Sequence, residues 1–218
     1  MPHTIENGHS QTTVVIKTIG RDTLRDAVNS ARREGFEPLI ISDGVNVPEH
    51  DQGEKRTIVK LGKEWGFYGG MAANVGAALV PTEFITFLDD DDVFIEGAGD
   101  IIRSKLKESP EVDIWIAGVR FQLDVSLMDN GKVVYKGREL SLNSDRGVTP
   151  GNVSMPTYRA SIFSKSPFIN NVDEHHLHLS DFLHVLQCHR LEYKIDWFGS
   201  VLYDVRPHDG KANGQGKT

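Results

Sequence analysis

The chain has 218 residues, of which 39% are hydrophobic and 25% charged, as in soluble globular domains with a sizeable core. Its formal net charge of −7 argues against binding to nucleic acid or to an anionic membrane, because both require basic surfaces. The single cysteine, Cys188, excludes an internal disulfide framework and favours a reducing compartment. Apolar runs stay well below about 18 residues and the start lacks a signal peptide's apolar core, so we expect a cytoplasmic protein without a membrane anchor.

The first half of the chain alternates apolar strands with helices. The run TTVVIKTIG predicts a buried strand, RDTLRDAVNSARREG predicts an amphipathic helix, and EPLIISDG predicts a second strand. RTIVKL and EFITFL predict two more strands, and GFYGGMAANVGAALVP between them predicts a glycine-rich loop that runs into a helix. Such β–α–β succession implies parallel pairing with right-handed crossovers, and therefore an α/β fold.

The second half predicts a helix in GAGDIIRSKLKES, which Pro110 ends, and a hairpin with its turn at Asn130-Gly131. SDFLHVLQCHRLE predicts a helix that Ser180 opens, and YKIDWFG predicts a strand after it. Composition then divides the chain into a polar N-terminal segment (1–11), one α/β domain (12–207) and a flexible polar segment (208–218).

Four consecutive aspartates, Asp89 to Asp92, directly follow the apolar run FITFL. Adjacent carboxylates repel one another, so a positive partner is expected beside them. In an open parallel sheet, ligands bind at the carboxyl ends of strands, where Asp43 also falls after PLIIS. Carboxylate oxygens suit Mg²⁺ or Mn²⁺, so this pattern favours a divalent cation site over a solvated acidic turn.

Two other patterns allow more than one interpretation. The loop GFYGGMAANVGAA fits neither the Walker A nor the dinucleotide fingerprint, and it suits either close approach to a phosphate or a tight turn into a packed helix. His184 and Cys188 have the i, i+4 spacing of a zinc site, but a four-ligand set is not evident. We interpret Cys188 as a small buried hydrophobic residue.

Five segments, in order and spacing, resemble GT-A-fold glycosyltransferases of the family 2 type over most of residues 12 to 208. They are VVIKTIGR (with Lys17 where that family has proline), LIISDG, GGMAANVG (with Ala73 for arginine), EFITFLDDDDVF and SDFLHVLQCHRLEYKIDWFGSVLYDVRPH (with Ser180 for glutamate). The fourth is close to the family's metal-binding DxD strand. The resemblance implies a single GT-A domain with a mixed, mainly parallel sheet flanked by helices.

The resemblance also implies a set of site residues. The metal ligands are Asp91, Asp89 and His208, and the catalytic base is Asp181. Asp43 is implied to read the uracil base and Asp90 to contact the ribose. The remaining implied donor-binding residues are Thr18, Arg21, Gly70, Asn74, Asp89 and Lys211.

The activity that this resemblance implies is an inverting, metal-dependent transfer of a hexose. The donor is a nucleotide sugar, a UDP-hexose in our interpretation, and the acceptor is the hydroxyl of a saccharide or another molecule. The cofactor is Mn²⁺ or Mg²⁺, and an imidazole ligand such as His208 favours Mn²⁺. The alternatives are a nucleotidyltransferase of similar fold and a non-catalytic module that binds nucleotide sugars.

Overall fold

The protein, described here from a computed structural model, is built around one mixed sheet. The structure describes residues 11–47, 57–66, 69–121, 132–135, 138–141, 156–168 and 180–206. In these ranges the strands are β1 (Thr12–Thr18), β2 (Pro38–Ser42), β3 (Thr57–Lys60), β4 (Phe84–Asp89), β5 (Val93–Phe94), β6 (Ile114–Phe121), β7 (Lys132–Tyr135), β8 (Arg138–Ser141), β9 (Thr157–Arg159) and β10 (Ile195–Val205). The helices are α1 (Leu24–Arg33), α2 (Gly70–Leu79), α3 (Ala98–Glu108) and α4 (Ser180–Arg190), with a 3₁₀ helix at Ala160–Ser164.

Eight of these strands form the central sheet, in the order β3-β2-β1-β4-β9-β6-β10-β5. Strands β3, β2, β1 and β4 pair in parallel, as do β6 and β10, while β9 and β5 pair antiparallel with their neighbours. The predicted single α/β domain with a mixed, mostly parallel sheet is therefore confirmed. Its four parallel strands place their carboxyl ends at one edge of the sheet.

Two apolar layers cover the two faces of this sheet. On one face, α1 and α3 pack through residues such as Leu24 and Ile102, while α2 and α4 contribute Ala73 and Val185 on the other face. The approach of α2 to β1 depends on Gly76, because a Cβ there would lie 2.5 Å from Val15 Cγ1. This close packing places the start of α2 beside the carboxyl end of β1.

The second half of the sheet differs from the sequence prediction in detail. The strand predicted at YKIDWFG continues as β10 to Val205, with irregular register against β6 between Trp197 and Tyr203. The turn predicted at Asn130-Gly131 lies outside the described residues, and β7 pairs antiparallel with β8. No helix in the described part of the chain is long and apolar enough to cross a membrane.

Candidate active site

The four aspartates lie where β4 ends, next to the carboxyl end of β1. Asp89 is the last residue of β4, and the Asp92 N–H donates to the Asp89 carbonyl at 3.1 Å, so the chain turns at once. This turn brings one carboxylate oxygen each from Asp89, Asp91 and Asp92 within 4.8 Å of one another. We call these three residues the acidic triad. Asp89 and Asp91 were predicted metal ligands, whereas the sequence analysis did not single out Asp92 as one.

Asp90 points the other way, into the connection between β1 and α1. Its Oδ2 accepts hydrogen bonds from Thr18 Oγ1 at 2.6 Å and from the Ile19 N–H at 3.0 Å. Its Oδ1 accepts from Arg21 NH1 at 2.5 Å, and the residue is 1% exposed. Asp90 therefore organises the loop that carries two predicted donor-binding residues. The expected ribose contact of Asp90 stays a prediction.

Two basic side chains of the described chain compensate the aspartates. Arg21 NH1 lies 2.5 Å from Asp90 Oδ1 and 3.4 Å from Asp91 Oδ2. Lys17 Nζ lies 2.8 Å from Asp89 Oδ1. Part of the positive charge that four adjacent carboxylates require thus comes from the chain itself.

From the sequence, Lys17 is a departure from a family pattern and has no predicted role. Lys17 is the single charged residue of the strand TTVVIKT, which is otherwise buried or nearly so. That placement was the available signal, because a lysine in a buried strand needs an anionic partner. Burial alone lowers its pKa, but the carboxylates of Asp89, Asp181 and Asp92 outweigh that effect and raise the pKa above its usual value.

Charge in the acidic triad remains unfavourable despite these partners. The pKa of Asp91 is raised, first by burial and then by Asp89, against the opposing effect of Arg21. The pKa of Asp92 is raised well above its usual value by burial, by Asp89 and by Asp91. Both carboxyl groups thus resist ionisation in the absence of metal. A divalent cation bound beside them would stabilise their charged forms.

Asp181, the predicted catalytic base, lies in the first turn of α4. Its carboxylate lies within electrostatic range of Lys17 and of Tyr158, and it raises the pKa of both. The dipole of α4 favours an ionised carboxylate at this end of the helix. Lys17 therefore connects the predicted base with the predicted metal site through its charge.

Asp43, the predicted uracil-binding residue, follows β2 at the same edge and is 3% exposed. Its Oδ1 accepts from the Trp65 N–H at 2.9 Å and its Oδ2 from the Gly66 N–H at 2.8 Å. Asp43 thus fixes the segment that follows β3. A carboxylate has four lone-pair sites, so these two bonds leave acceptor capacity for a ligand.

Gly70 and Asn74, the predicted donor-binding residues of the glycine loop, lie in α2. Gly70 begins the helix and is buried beside Lys17's strand. The Asn74 side chain spans to the segment after the 3₁₀ helix, with Nδ2 donating to the Phe168 carbonyl at 3.1 Å and Oδ1 accepting from the Phe168 N–H at 2.8 Å. In this structure the Asn74 side chain therefore fixes the backbone of Phe168 through two hydrogen bonds.

His184 and Cys188, weighed above as zinc ligands, belong to a buried aromatic cluster. The His184 ring stacks on Phe168 with centroids 4.3 Å apart, and its Nε2 donates to the Ser166 carbonyl at 2.6 Å. Burial lowers the His184 pKa to about 4 and raises the Cys188 pKa to about 11. Among the described residues, the acidic triad is the one group of three or more His, Cys, Asp or Glu side chains that lie close enough to share a metal ion.

Two predicted site residues, His208 and Lys211, lie outside the described residues. The described chain ends at Arg206, whose backbone N–H donates to Asp92 Oδ1 at 3.1 Å. The acidic triad by itself offers three carboxylates at one strand end. Such an all-oxygen donor set fits Mg²⁺ or Mn²⁺.

The fold has relatives among solved structures. The crystal structure of S. aureus TarS residues 1–349 matches with a TM-score of 0.65 at 14% identity, covering 89% of this chain and 60% of that one. The same fragment in complex with UDP-GlcNAc matches with a TM-score of 0.66 at 14% identity, covering 95% and 61%. TarS is a GT-A glycosyltransferase. The chain has the GT-A fold.

A third TarS structure, in complex with UDP, gives a TM-score of 0.63 at 14% identity over 90% of this chain and 60% of that one. The chain thus spans about three fifths of the TarS fragment. No protein-family model and no curated protein sequence matches it. At this identity the likeness establishes the GT-A fold, and activity has to be argued from the site.

Proposed function

We propose that this protein is an inverting glycosyltransferase that moves a hexose from a UDP-sugar to an acceptor hydroxyl, with a divalent cation as cofactor. The observation that carries the proposal is the acidic triad at the carboxyl end of β4, with Lys17 paired to Asp89 and within electrostatic range of Asp181. The donor class is supported by TarS, which has the same fold and was crystallised in complex with UDP-GlcNAc and with UDP. The acceptor is the hydroxyl of a saccharide or another molecule.

The donor nucleotide would lie along the edge formed by β2, β1 and β4. Asp43, with two remaining acceptor positions, would hold the uracil, and Asp90 with Thr18 would shape the ribose side. Arg21 and the beginning of α2 supply positive charge beside the diphosphate. Gly70 permits close approach there, and Lys211 is proposed as a further diphosphate contact.

The acidic triad would hold the cation, with His208 as a further ligand. His208 follows Arg206 by two residues, a span of at most about 7 Å, and Arg206 is bonded to Asp92. A divalent cation bound there supplies Lewis-acid stabilisation of the leaving diphosphate. Because the proposed ligand set includes an imidazole, we expect Mn²⁺ to activate better than Mg²⁺.

Asp181 is the proposed base. Its carboxylate would accept the proton of the acceptor hydroxyl as that oxygen bonds to the anomeric carbon, while the bond from that carbon to the diphosphate oxygen breaks. Attack from the face opposite the leaving group inverts the anomeric centre.

The proposal is tested by incubating the protein with a panel of nucleotide sugars, Mn²⁺ and simple saccharide acceptors, and measuring released nucleotide. Release of UDP from a UDP-hexose, with sugar transferred to the acceptor, is the expected outcome. Release of pyrophosphate in a parallel incubation with UTP and a hexose 1-phosphate would instead identify a nucleotidyltransferase. Donor binding without release of any product would identify a non-catalytic module and overturn the proposal.

A further inference from the structure

Lys17 occupies the position where a cation is needed, and its location is built into the sheet. It is the residue of β1 that aligns with Asp89 of β4 across the parallel pair. Its Nζ lies 2.8 Å from Asp89 Oδ1, and its side chain is 12% exposed. A buried ammonium is costly unless it is paired, so this contact holds Lys17 and Asp89 together in the absence of other ligands.

The stem of Lys17 is held as well as its charge. Gly69 precedes α2 with φ of 76°, and a Cβ there would lie 3.0 Å from Lys17 Cδ and 3.5 Å from Lys17 Cβ. The missing side chain of Gly69 thus makes room for the stem. The glycine loop, for which the sequence allowed either close approach to a phosphate or a tight turn into a helix, therefore also makes room for Lys17 beside Asp89.

A metal ion at the acidic triad would need an oxygen of the carboxylate that Lys17 holds. Asp89 belongs to that triad and is paired with Lys17, whereas Arg21 is paired chiefly with Asp90 and lies 3.4 Å from a second triad member, Asp91. The ammonium and a divalent cation carry like charges and would face each other across one carboxylate. The Asp89 side chain is 48% exposed, so solvent screens part of this repulsion, while Lys17 and the other two triad members lie on the more buried side.

We propose that Lys17 is a tethered counter-ion that competes with the divalent cation for Asp89 and so sets how tightly the acidic triad binds metal. The inference rests on the metal site of the proposed function. Lys17 holds the triad together without metal, and it lowers the affinity for free metal ion. Lys17 and the metal would share the Asp89 carboxylate, so occupancy by metal weakens the Lys17–Asp89 ion pair.

The test measures metal binding alone, without nucleotide or acceptor. Mn²⁺ is titrated into the full-length protein at neutral pH, and free Mn²⁺ is read by electron paramagnetic resonance. We expect Lys17→Met to lower the Kd for Mn²⁺ by about tenfold or more, because it removes a like charge next to the ion. Lys17→Arg keeps the charge and is expected to bind Mn²⁺ as weakly as the wild type.

The matched control is Lys105→Met, which removes a lysine from an exposed ion pair with Glu108 on α3. Its Kd is expected to equal that of the wild type. An unchanged Kd in Lys17→Met, including absent binding by both proteins, would overturn the inference. If Lys17→Met does not fold alone, it is refolded with Mn²⁺ or with EDTA. Recovery with Mn²⁺ supports the inference, and equal failure in both overturns it.

Metal affinity and sugar transfer are separate readouts in this design. A tighter Kd in Lys17→Met together with no transfer from any nucleotide sugar would support the role of Lys17 and count against the proposed function. Transfer by the wild type with an unchanged Kd for Mn²⁺ in Lys17→Met would support the proposed function and count against the role of Lys17.

Discussion

The backbone N–H of Arg206 donates a hydrogen bond to Asp92 Oδ1 over 3.1 Å, which joins the end of β10 to the acidic triad across 114 positions of sequence. Arg206 NH1 also contacts Asp26 Oδ2 of α1 at 2.7 Å. The end of β10 is thus held from two sides. Residues that follow Arg206 therefore continue from the edge of the candidate site.

Truncation after Pro207 is expected to reduce sugar transfer and to increase the fraction of donor lost to hydrolysis. The truncation removes His208, the proposed metal ligand, together with the rest of segment 208–218, which we propose closes over the bound donor and excludes water from the site. Transfer and hydrolysis are measured separately on the same preparation. A chain that ends after Lys211 keeps both His208 and Lys211 and is the matched control. Full transfer by the shorter chain would remove His208 from the site.

Asp181→Asn is expected to keep donor affinity and to lower turnover about 10²-fold or more, the usual effect of losing a positioned base. Turnover is measured at saturating donor, and donor binding is measured by calorimetry. Asp100→Asn is the matched control, because Asp100 also lies in the first turn of a helix, α3, and is paired with Arg103 at the surface. Unchanged turnover in Asp181→Asn would assign the base to another residue.

Asp91→Ala and Asp90→Ala are expected to have opposite effects on stability although the two residues are adjacent. The pKa of Asp91 is raised by burial and by Asp89, so removing its charge relieves repulsion and should leave the thermal midpoint unchanged or higher. Asp90→Ala removes the buried carboxylate that accepts hydrogen bonds from Thr18 Oγ1 and from Arg21, at a cost of about 3 to 5 kcal/mol.

Both variants are compared by chemical denaturation without metal, and Mn²⁺ binding is then measured for Asp91→Ala. Loss of Mn²⁺ binding in a protein that stays folded is the expected result for Asp91→Ala. Equal destabilisation by the two substitutions would contradict the distinct roles assigned to these neighbours.

The buried His184 should make the fold sensitive to acid. Burial lowers its pKa from 6.5 in an exposed chain to about 4, so between these values the unfolded chain binds a proton that the folded chain does not. The free energy of unfolding should therefore fall as the pH drops from 6.5 toward 4, by up to about 3 kcal/mol. Unfolding by urea across this range measures the effect.

His184→Phe should remove this component of the pH dependence, because phenylalanine keeps the aromatic packing and does not titrate. The matched control is His189→Gln, an exposed position on the same helix. Any variant that loses the Ser166 hydrogen bond will be less stable at every pH, so the slope is the relevant quantity. A wild-type slope retained in His184→Phe would exclude His184 as its source.

Local patterns were sufficient to predict the first half of the fold. Strands β1, β2 and β4 are apolar runs that indicate burial, and α1 carries the apolar periodicity of an amphipathic helix. The ends of these strands then place Asp43 and the aspartates at one edge of the sheet. The two-residue strand β5 and the three-residue strand β9 could not be predicted in this way. Such short strands are defined by their partners in the sheet rather than by their own residues.

The site itself was predicted in composition more than in geometry. The sequence does not distinguish the roles of four adjacent aspartates. The turn after β4 directs Asp90 to Thr18, whereas it brings Asp91 and Asp92 close to Asp89. The pairing of Lys17 with Asp89 depends on the alignment of two strands 72 residues apart, as the Thr18–Asp90 contact does. Local periodicity carries no information about that alignment.

The parallel alignment of β1 with β4 also has a consequence for how the sheet selects its own pairing. A shift of one residue along a strand moves every side chain to the opposite face. Such a shift of β1 would carry the Lys17 ammonium away from Asp89 and toward the apolar layer that contains Ile16 and Leu88. An unpaired buried ammonium would make that misaligned sheet far less stable than the native one. The Lys17–Asp89 ion pair therefore favours the native register of β1 against β4. The two residues that act on the metal site in our proposals thus also help to specify the fold.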